Sequence, residues 1–569
     1  MLLVLADRVH TFAGDGGAAD ALLLRRGRII AVGRGDALRA EVPGAAVLDL
    51  RGTTLTPGLT DSHIHLLEWA LSRREPDLSE ATSPEDAARL LSGGVGDRES
   101  GGSVAPTRPL SHSPTPWLRG RGWNAHRWGG AYPHRRILDA VIADRPVALQ
   151  SHDMHALWVN TRALREAGID RDTPDPDGGR ILRDEHGEPT GVLLETAAQL
   201  LVRRIPPPSE ADVAAAVLDG QRALHRLGIT GIHSFPAIHL TAPDTLPLLE
   251  RLRAEDRLRL RVLQHIPLER LDDALRLGLR SGFGGEWIRV GAVKMFLDGA
   301  LGSRTALLRE PYENAGDDRG VEVLPPAEFR DAVARAAAGG LATTVHAIGD
   351  AAVSLALDVL ADPGLRAGTL PHRIEHVQLC PPERFADAAR AGIVCSMQPA
   401  HLITDWRPAE RHWGRRSREA YAFRSLLRGG EGESGGVGEP VSPHSPTLPL
   451  PHSGPKAVLA FGSDAPVEPV DPRLAFWAAT RRQSLDAEPA AGWYPEERLA
   501  MADVIRAYTA GAALAAGEAA RRGHLGVGAD ADFVAWSADP LAAEGAALLE
   551  IRCLAAVVAG EVVWNAAGS

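Results

Sequence analysis

The chain of 569 residues has only three cysteines, Cys380, Cys395 and Cys553, too few and too scattered for a disulfide framework. This scarcity is typical of a reducing compartment. No apolar run approaches the roughly 20 residues that a transmembrane helix needs. The apolar N-terminus meets Asp7 too early for a signal peptide. These absences predict a soluble, cytoplasmic protein.

The chain also lacks an excess of basic residues. It carries 73 acidic and 62 basic side chains, a net charge of −11 and a pI near 6.0. This balance provides no basic face for nucleic acid, so we expect neither nucleic acid nor a membrane as a partner. The apolar fraction of 44% is ordinary for a globular protein with a large core.

Short strand-like runs separated by turn residues occupy both ends of the chain. They lie in residues 1–56 and again in residues 511–569. Strands of this length at the two termini are typical of a small β-domain assembled from both ends. We therefore predict one β-sandwich formed by residues 1–56 and 511–569.

Residues 57–510 alternate between apolar strand-like runs and helical segments rich in Ala, Leu and Arg. Such alternation favours an α/β fold with a parallel sheet, and at this length a (β/α)8 TIM barrel is the leading candidate. After the segment 57–65, the strand-like runs are 146–150, 228–233, 260–265, 288–294, 342–346, 372–376, 393–397 and 457–464.

Two segments interrupt the alternation, at 92–116 and 429–455. Both are rich in Gly, Ser and Pro, and both contain Ser-Gly-Gly-Val-Gly and His-Ser-Pro-Thr. Segments of this composition cannot bury enough apolar surface to fold by themselves. We interpret them as low-complexity insertions in surface loops of the barrel domain and leave their role open.

The pair His63 and His65 ends an apolar, strand-like run. A strand has period two, so both imidazoles should point to the same side. Two imidazoles on one face form half of a zinc-type site. Four further residues able to bind a metal are each the last residue of a later run, namely Lys294, His346, His376 and Asp464.

Lys294 is unexpected in so apolar a run because burial of an ammonium group is costly. Two interpretations stand side by side. In the first, the lysine pairs with Asp298 or extends its charged end outward to solvent. In the second, it is a neutral amine that can react.

The combination of these motifs resembles the amidohydrolase superfamily that includes urease, dihydroorotase and phosphotriesterase. Within it, the chain is most similar to amidohydrolase family 3, which contains N-substituted formamide deformylases. The resemblance covers essentially the whole chain except the two insertions. It is carried by residues 57–65, 120–124, 190–195, 294–306, 345–350, 372–378, 461–464 and 526–534.

The resemblance implies a set of roles for named residues. His63 and His65 would bind the more buried metal together with Asp464, and His346 and His376 would bind the more exposed one. Lys294, carboxylated by carbon dioxide, would bridge the two ions. The implied cofactor is two Zn²⁺ ions, with Mn²⁺ or Fe as alternatives. Asp464 would take a proton from water and deliver it to the leaving amine.

The implied function is metal-dependent hydrolysis of a non-peptide C–N bond in a small molecule by metal-activated hydroxide. The leading substrate is a linear amide of the N-substituted formamide type. The alternatives are a cyclic amidohydrolase, a metal-dependent deaminase, and a non-catalytic ligand-binding or regulatory protein on the same scaffold. Whether the protein forms a homodimer is left open. The predicted substrate pocket comprises Trp123, His155, Glu195, Arg304, Gln378 and Gln398.

Overall fold

The structure is a computed structural model that describes all residues except 15–17, 93–116, 153, 155, 177, 238–244, 369, 430–456 and 567–569, and except the side chains of residues 92 and 126. The two predicted insertions therefore lie almost entirely outside the described residues. The chain forms two compact units. The first unit comprises Met1–Ile64, Gln221–Pro236 and Arg253–Ser569, and the second comprises His65–Gly220 and Ala237–Leu252.

Strands from both termini of the chain form one sheet in the first unit. Numbered along the chain, its strands are β1 Leu2–Val9, β2 Ala19–Arg25, β3 Arg28–Gly33, β4 Ala46–Asp49, β5 Thr54–Pro57, β19 Phe533–Trp536, β20 Cys553–Val558 and β21 Glu561–Asn565. Their spatial order is β21-β20-β19-β5-β1-β2-β3, and β4 pairs with β1. β5 of the N-terminal part pairs with β19 of the C-terminal part.

Strands from both termini share one apolar core of the terminal sheet. The core includes Val4 and Leu22 from the N-terminal strands and Phe533 and Val557 from the C-terminal ones. At the edge of the sheet, the N–H of Ile29 donates to the carbonyl of Ala529 at 2.9 Å. Neither terminus could bury these apolar side chains without the other.

The rest of the first unit contains an eight-stranded parallel barrel. Its strands are β6 Leu59–Ile64, β12 Ile229–Ser234, β13 Arg261–Pro267, β14 Ile288–Phe296, β15 Thr343–Ala347, β16 Arg373–His376, β17 Val394–Met397 and β18 Val458–Phe461. Their spatial order is β18-β17-β16-β15-β14-β13-β12-β6. A bridge between Ile64 and Ala465 closes the barrel. This arrangement confirms the predicted TIM barrel.

The helices of the first unit cover the barrel and the terminal sheet. Of the helices in the described residues, none has the length and apolar content needed to cross a bilayer. The α-helices of the first unit are α1 Gly35–Glu41, α9 Leu271–Arg276, α10 Pro326–Ala338, α11 Asp350–Leu360, α12 Phe385–Ala391, α13 Leu402–Trp413, α14 Phe423–Arg428, α15 Pro472–Arg481, α16 Met501–Arg506, α17 Ala512–Ala515 and α18 Ala547–Glu550. A π-helical turn, Ala507–Gly511, joins α16 to α17.

The second unit has its own five-stranded sheet. The strands are β7 Leu118–Trp123, β8 Val147–Ser151, β9 Ala156–Val159, β10 Gly179–Arg183 and β11 Pro189–Glu195. Their spatial order is β10-β11-β9-β8-β7. Its helices are α2 Leu66–Ser72, α3 Pro84–Ser92, α4 Arg135–Asp139, α5 Thr161–Ala167, α6 Thr196–Val202, α7 Glu210–Arg226 and α8 Thr245–Ala254, of which α7 and α8 end in residues of the first unit.

The interpretation of residues 146–150 as a barrel strand was wrong. These residues belong to β8, which pairs with β7 and β9 in the sheet of the second unit. Most of the run is apolar and buried, as a barrel strand would be. Periodicity shows that a strand is buried, but it does not show which sheet contains the strand.

A buried ion pair joins the barrel to the terminal sheet. The guanidinium of Arg261 on β13 donates to both oxygens of Asp532, just before β19, at 3.0 Å. Because loss of one partner leaves a buried charge uncompensated, Arg261→Ala should lower the free energy of unfolding by about 3–5 kcal/mol. Urea denaturation of the two proteins measures this difference.

The matched control is Arg257→Ala, because Arg257 pairs with Glu255 while both side chains remain largely exposed. Its free energy of unfolding should change by less than about 0.5 kcal/mol. Equal losses in the two variants would show that the Arg261–Asp532 pair does not stabilise the junction.

Candidate metal centre

His63 lies near the carboxyl end of β6 and is fully buried. Its Nδ1 is 2.7 Å from Oε2 of Glu375, and its ring stacks on Phe235 at a centroid distance of 3.8 Å. Burial lowers the pKa of His63 to about 4, so the ring is neutral near pH 7. Its Nε2 is 3.3 Å from Oδ1 of Asp464.

Glu375 fixes the tautomer of His63. Burial alone would raise the pKa of Glu375, but the charge of Arg373 and the hydrogen bond from His63 outweigh burial and hold that pKa well below its usual range. Arg373 Nε donates to Glu375 at 2.9 Å, and the hydroxyl of Thr344 also donates to it. An ionised carboxylate only accepts, so Nδ1 of His63 carries the proton and Nε2 presents its lone pair. Metal-binding histidines are commonly oriented in this way.

His376 and Asp464 come to the same place from β16 and from the segment after β18. One ligand atom from each of His63, His376 and Asp464 lies within 4.8 Å of the other two, and all three residues are buried. His376 and Asp464 both have left-handed backbones, with φ of 74° and 61°. Such conformations are costly for residues other than glycine and concentrate at functional sites.

Asp61 anchors the segment that carries Asp464. Its carboxyl group accepts hydrogen bonds from the hydroxyl of Ser463 at 2.6 Å and from the amides of Ser463 and His63. Burial raises the pKa of Asp61 to about 7. In addition, the amide of Asp464 donates to the carbonyl of His63 at 2.7 Å. The backbone of Asp464 is therefore held against β6.

His346 on β15 lies beside this group. Its ring is 4.4 Å from that of His376 in an edge-on arrangement. Nε2 is 3.0 Å from the carbonyl of Gly299, which can only accept, so Nε2 carries the proton and Nδ1 presents its lone pair. Burial lowers the pKa of His346 to about 3, which keeps the ring neutral.

Lys294 does not pair with Asp298. Asp298 instead accepts hydrogen bonds from the amides of Leu307, Ile348 and Gly349 at 2.8–3.0 Å. Among the described residues, Lys294 forms no ion pair, and its Nζ lies 4.7 Å from the ring centre of Phe235. Burial lowers the pKa of Lys294 to about 8. Pairing with Asp298 is therefore wrong, and so is an outward-pointing side chain, because Lys294 is buried. The reactive amine remains a prediction.

His65 is buried at the N-terminus of α2, in the second unit. Its role as a metal ligand remains a prediction.

The described members of the predicted substrate pocket belong to both units, and their role in substrate binding remains a prediction. Gln378 and Gln398 are buried just beyond β16 and β17, and Gln378 donates to Asp405 at 2.6 Å. Arg304 is exposed, with φ of 56°, in the loop after β14. In the second unit, Trp123 is buried and donates to the carbonyl of Leu149, while Glu195 is exposed at the end of β11. His155 lies outside the described residues.

Three residues of the site were absent from the sequence prediction, namely Arg373, Glu375 and His401. The strand His-Arg-Ile-Glu-His carried a signal for the first two, because Arg373 and Glu375 alternate within a buried strand. His401 follows β17 and had no such signal. Its Nε2 is 3.7 Å from Oδ2 of Asp464.

Glu375→Gln should weaken metal binding by roughly 10–100-fold, because the amide no longer fixes the tautomer of His63 as the carboxylate does. Chelator competition with zinc measures the dissociation constant directly. The control is Glu383→Gln, which alters an exposed carboxylate paired with Arg309 and should leave zinc affinity unchanged. Equal affinities in all three proteins would remove Glu375 from the account.

The donor set fits a divalent metal of the zinc type. Three buried ligands converge. In His63 and His346, one ring nitrogen carries the proton of a hydrogen bond, and the other nitrogen presents its lone pair. Neutral imidazoles with a carboxylate are the ligands that such ions prefer. The ligands lie at the carboxyl ends of barrel strands, where active sites of this fold occur.

Comparison with known proteins agrees with this geometry. The sequence model of the amidohydrolase family matches residues 46–447 and 456–564. YtcJ of Bacillus subtilis (strain 168), a protein named as an amidohydrolase, is 30% identical over 98% of both chains. The N-substituted formamide deformylase of Arthrobacter pascens is 26% identical over 100% of this chain and 99% of its own length.

A solved structure shares the fold. An uncharacterized metal-dependent hydrolase from Pyrococcus horikoshii OT3 aligns with a TM-score of 0.74 and 26% identity, over 95% of this chain and 98% of its own. The family match spans nearly the whole chain and includes every residue of the centre. The chain therefore belongs to the amidohydrolase family and is a metal-dependent hydrolase acting on carbon–nitrogen bonds.

Proposed function

We propose that the protein hydrolyses a linear amide of the N-substituted formamide type in a small molecule, in the cytoplasm. The observation that carries this proposal is the convergence of His63, His376 and Asp464 at the mouth of the barrel. The substrate class is supported by the similarity to the formamide deformylase, which extends over the whole length of both chains.

The residues that would hold the metal are those of the centre. His63, His376 and Asp464 supply the converging ligand atoms, and the family resemblance adds His65, His346 and Lys294. When bound, zinc supplies a Lewis acid that polarises a carbonyl group and lowers the pKa of water. Zinc, in two ions per chain, is part of this proposal.

Asp464 is the proposed proton carrier. Its Oδ1 is 3.3 Å from Nε2 of His63, and its Oδ2 is 3.7 Å from Nε2 of His401. A carboxylate oriented in this manner can ligate with one oxygen while the other accepts a proton from the attacking water. The same oxygen then returns the proton to the leaving nitrogen, as general acid–base catalysis requires. The hydrogen bonds around Asp61 keep the carboxylate in place.

Lys294 is proposed to be carboxylated. With its pKa lowered to about 8, a larger fraction of the amine is neutral at pH 7–8 than for an exposed lysine, and only the neutral amine reacts with carbon dioxide. The carbamate adds a negative charge close to the neutral ligands His63 and His346. That charge offsets the repulsion between two cations.

The test is a substrate screen with zinc-loaded and chelated protein. N-substituted formamides, longer N-acyl amides, cyclic amides and amino-heterocycles are offered at equal concentration, and the released amine, ring-opened product or ammonia is measured. We expect release of amine from the formamides, and its loss on chelation. Preferred ring opening would identify a cyclic amidohydrolase, and release of ammonia would identify a deaminase. Absence of turnover with every class would favour the ligand-binding alternative.

A further inference from the structure

His401 is a histidine at the centre to which neither the sequence nor the family resemblance gave a role. It ends the short 3₁₀ turn Pro399–His401, between β17 and α13. Its Nε2 is buried and has no hydrogen-bond partner within the described parts of the chain. That nitrogen lies 3.7 Å from Oδ2 of Asp464, and the ring centre lies 6.3 Å from that of His376.

The 3.7 Å separation is too long for a hydrogen bond. A buried polar nitrogen without a partner destabilises the folded protein, so its retention indicates that something else satisfies it. The backbone at this position is fixed, because the amide of His401 donates to the carbonyl of Gln398 and the hydroxyl of Thr404 donates to the carbonyl of His401. With the backbone held in this way, the 3.7 Å separation places Nε2 and Oδ2 of Asp464 at the border of the same space.

The identity of the missing partner follows from the role of Asp464. Its Oδ1 faces His63, and Oδ2 is the oxygen that returns the proton to the leaving nitrogen in the proposed function. An atom that receives a proton from Oδ2 must approach it within hydrogen-bond distance. His401 is a side chain next to that position, so a leaving nitrogen that receives the proton from Oδ2 would lie beside Nε2 of His401.

We propose that His401 Nε2 accepts a hydrogen bond from the N–H of the scissile amide, and that the substrate is consequently a secondary amide. The inference rests on the proposed function. In the reaction, the carbonyl carbon gains a hydroxyl from water and the C–N bond breaks. The nitrogen keeps its own hydrogen and gains one from Asp464, so the products are a carboxylic acid and a primary amine.

The experiment compares two substrates and two variants. The substrates are an N-monosubstituted formamide and the formate ester with the same substituent, which has no N–H. His401→Leu removes the acceptor, whereas the side-chain carbonyl of His401→Gln can replace it. His401→Leu should lower kcat/KM for the formamide by roughly 10–100-fold and for the ester by less than about threefold. His401→Gln should restore most of the formamide activity.

Zinc content and melting temperature are measured for each protein and should equal those of the wild type. An equal fall for formamide and ester, or a loss of zinc in His401→Leu, would overturn the assignment while leaving the proposed function intact. Failure of the wild-type protein to hydrolyse the formamide would overturn both together.

Discussion

Asp464→Asn should lower turnover by roughly 10²–10⁴, the usual scale for loss of a general acid–base group. Asn keeps the shape of the side chain and one carbonyl ligand oxygen, but its amide nitrogen cannot accept a proton from water. The hydrogen bonds from Ser463 to Asp61 are unaffected, so the backbone at position 464 should keep its place. Steady-state kinetics with the best formamide of the screen measure the effect.

The control for this prediction is His63→Ala. That variant removes a ligand and should lose bound metal, whereas Asp464→Asn should retain most of it. Comparing metal content per chain with turnover therefore separates loss of the proton carrier from loss of the centre. Near-normal turnover in metal-replete Asp464→Asn would eliminate Asp464 as the proton carrier.

Lys294→Ala should lose about one metal equivalent and most of the activity. The reason is that the proposed bridging carbamate would be lost together with its negative charge. Short carboxylic acids such as formate or acetate should occupy the vacated space and restore part of both. Metal analysis and turnover with increasing concentrations of acid measure the rescue.

The small number of lysines in the chain allows a carbamate signal to be assigned to one residue. Lys294 and Lys456 are its only two lysines. With ¹³C-labelled bicarbonate, the wild type and the control Lys456→Ala should both give one carbamate resonance per chain, and Lys294→Ala should give none. A wild-type protein that is fully active with one ion and shows no carbamate resonance would make the enzyme a mononuclear hydrolase.

Much of the barrel could be predicted because its strands are short apolar runs, and several of them carry a polar residue at or just beyond the carboxyl end. His63, His346, His376 and Asp464 were identified from that pattern, and the structure brings their side chains to the carboxyl ends of their strands. The terminal sheet could be predicted because strand patterns at the two ends of the chain need a shared core.

Other parts could not be predicted because the pattern does not record which elements meet. β8 is as apolar as a barrel strand, and only its pairing with β7 and β9 assigns it to the second unit. The hydrogen bond from His63 to Glu375 joins residues 312 positions apart, and the approach of His401 to Asp464 depends on a turn after β17. Such contacts follow from barrel closure rather than from any local motif.

The central claim is that hydrolysis depends on a metal held by the residues at the mouth of the barrel. The most direct test removes the metal with a chelator and returns zinc in steps, while bound zinc and formamide turnover are measured on the same samples. We predict that turnover rises in proportion to bound zinc in the wild type and that His63→Ala and His376→Ala neither bind zinc tightly nor recover. Undiminished turnover of the metal-free protein, or full zinc binding by both histidine variants, would contradict the account.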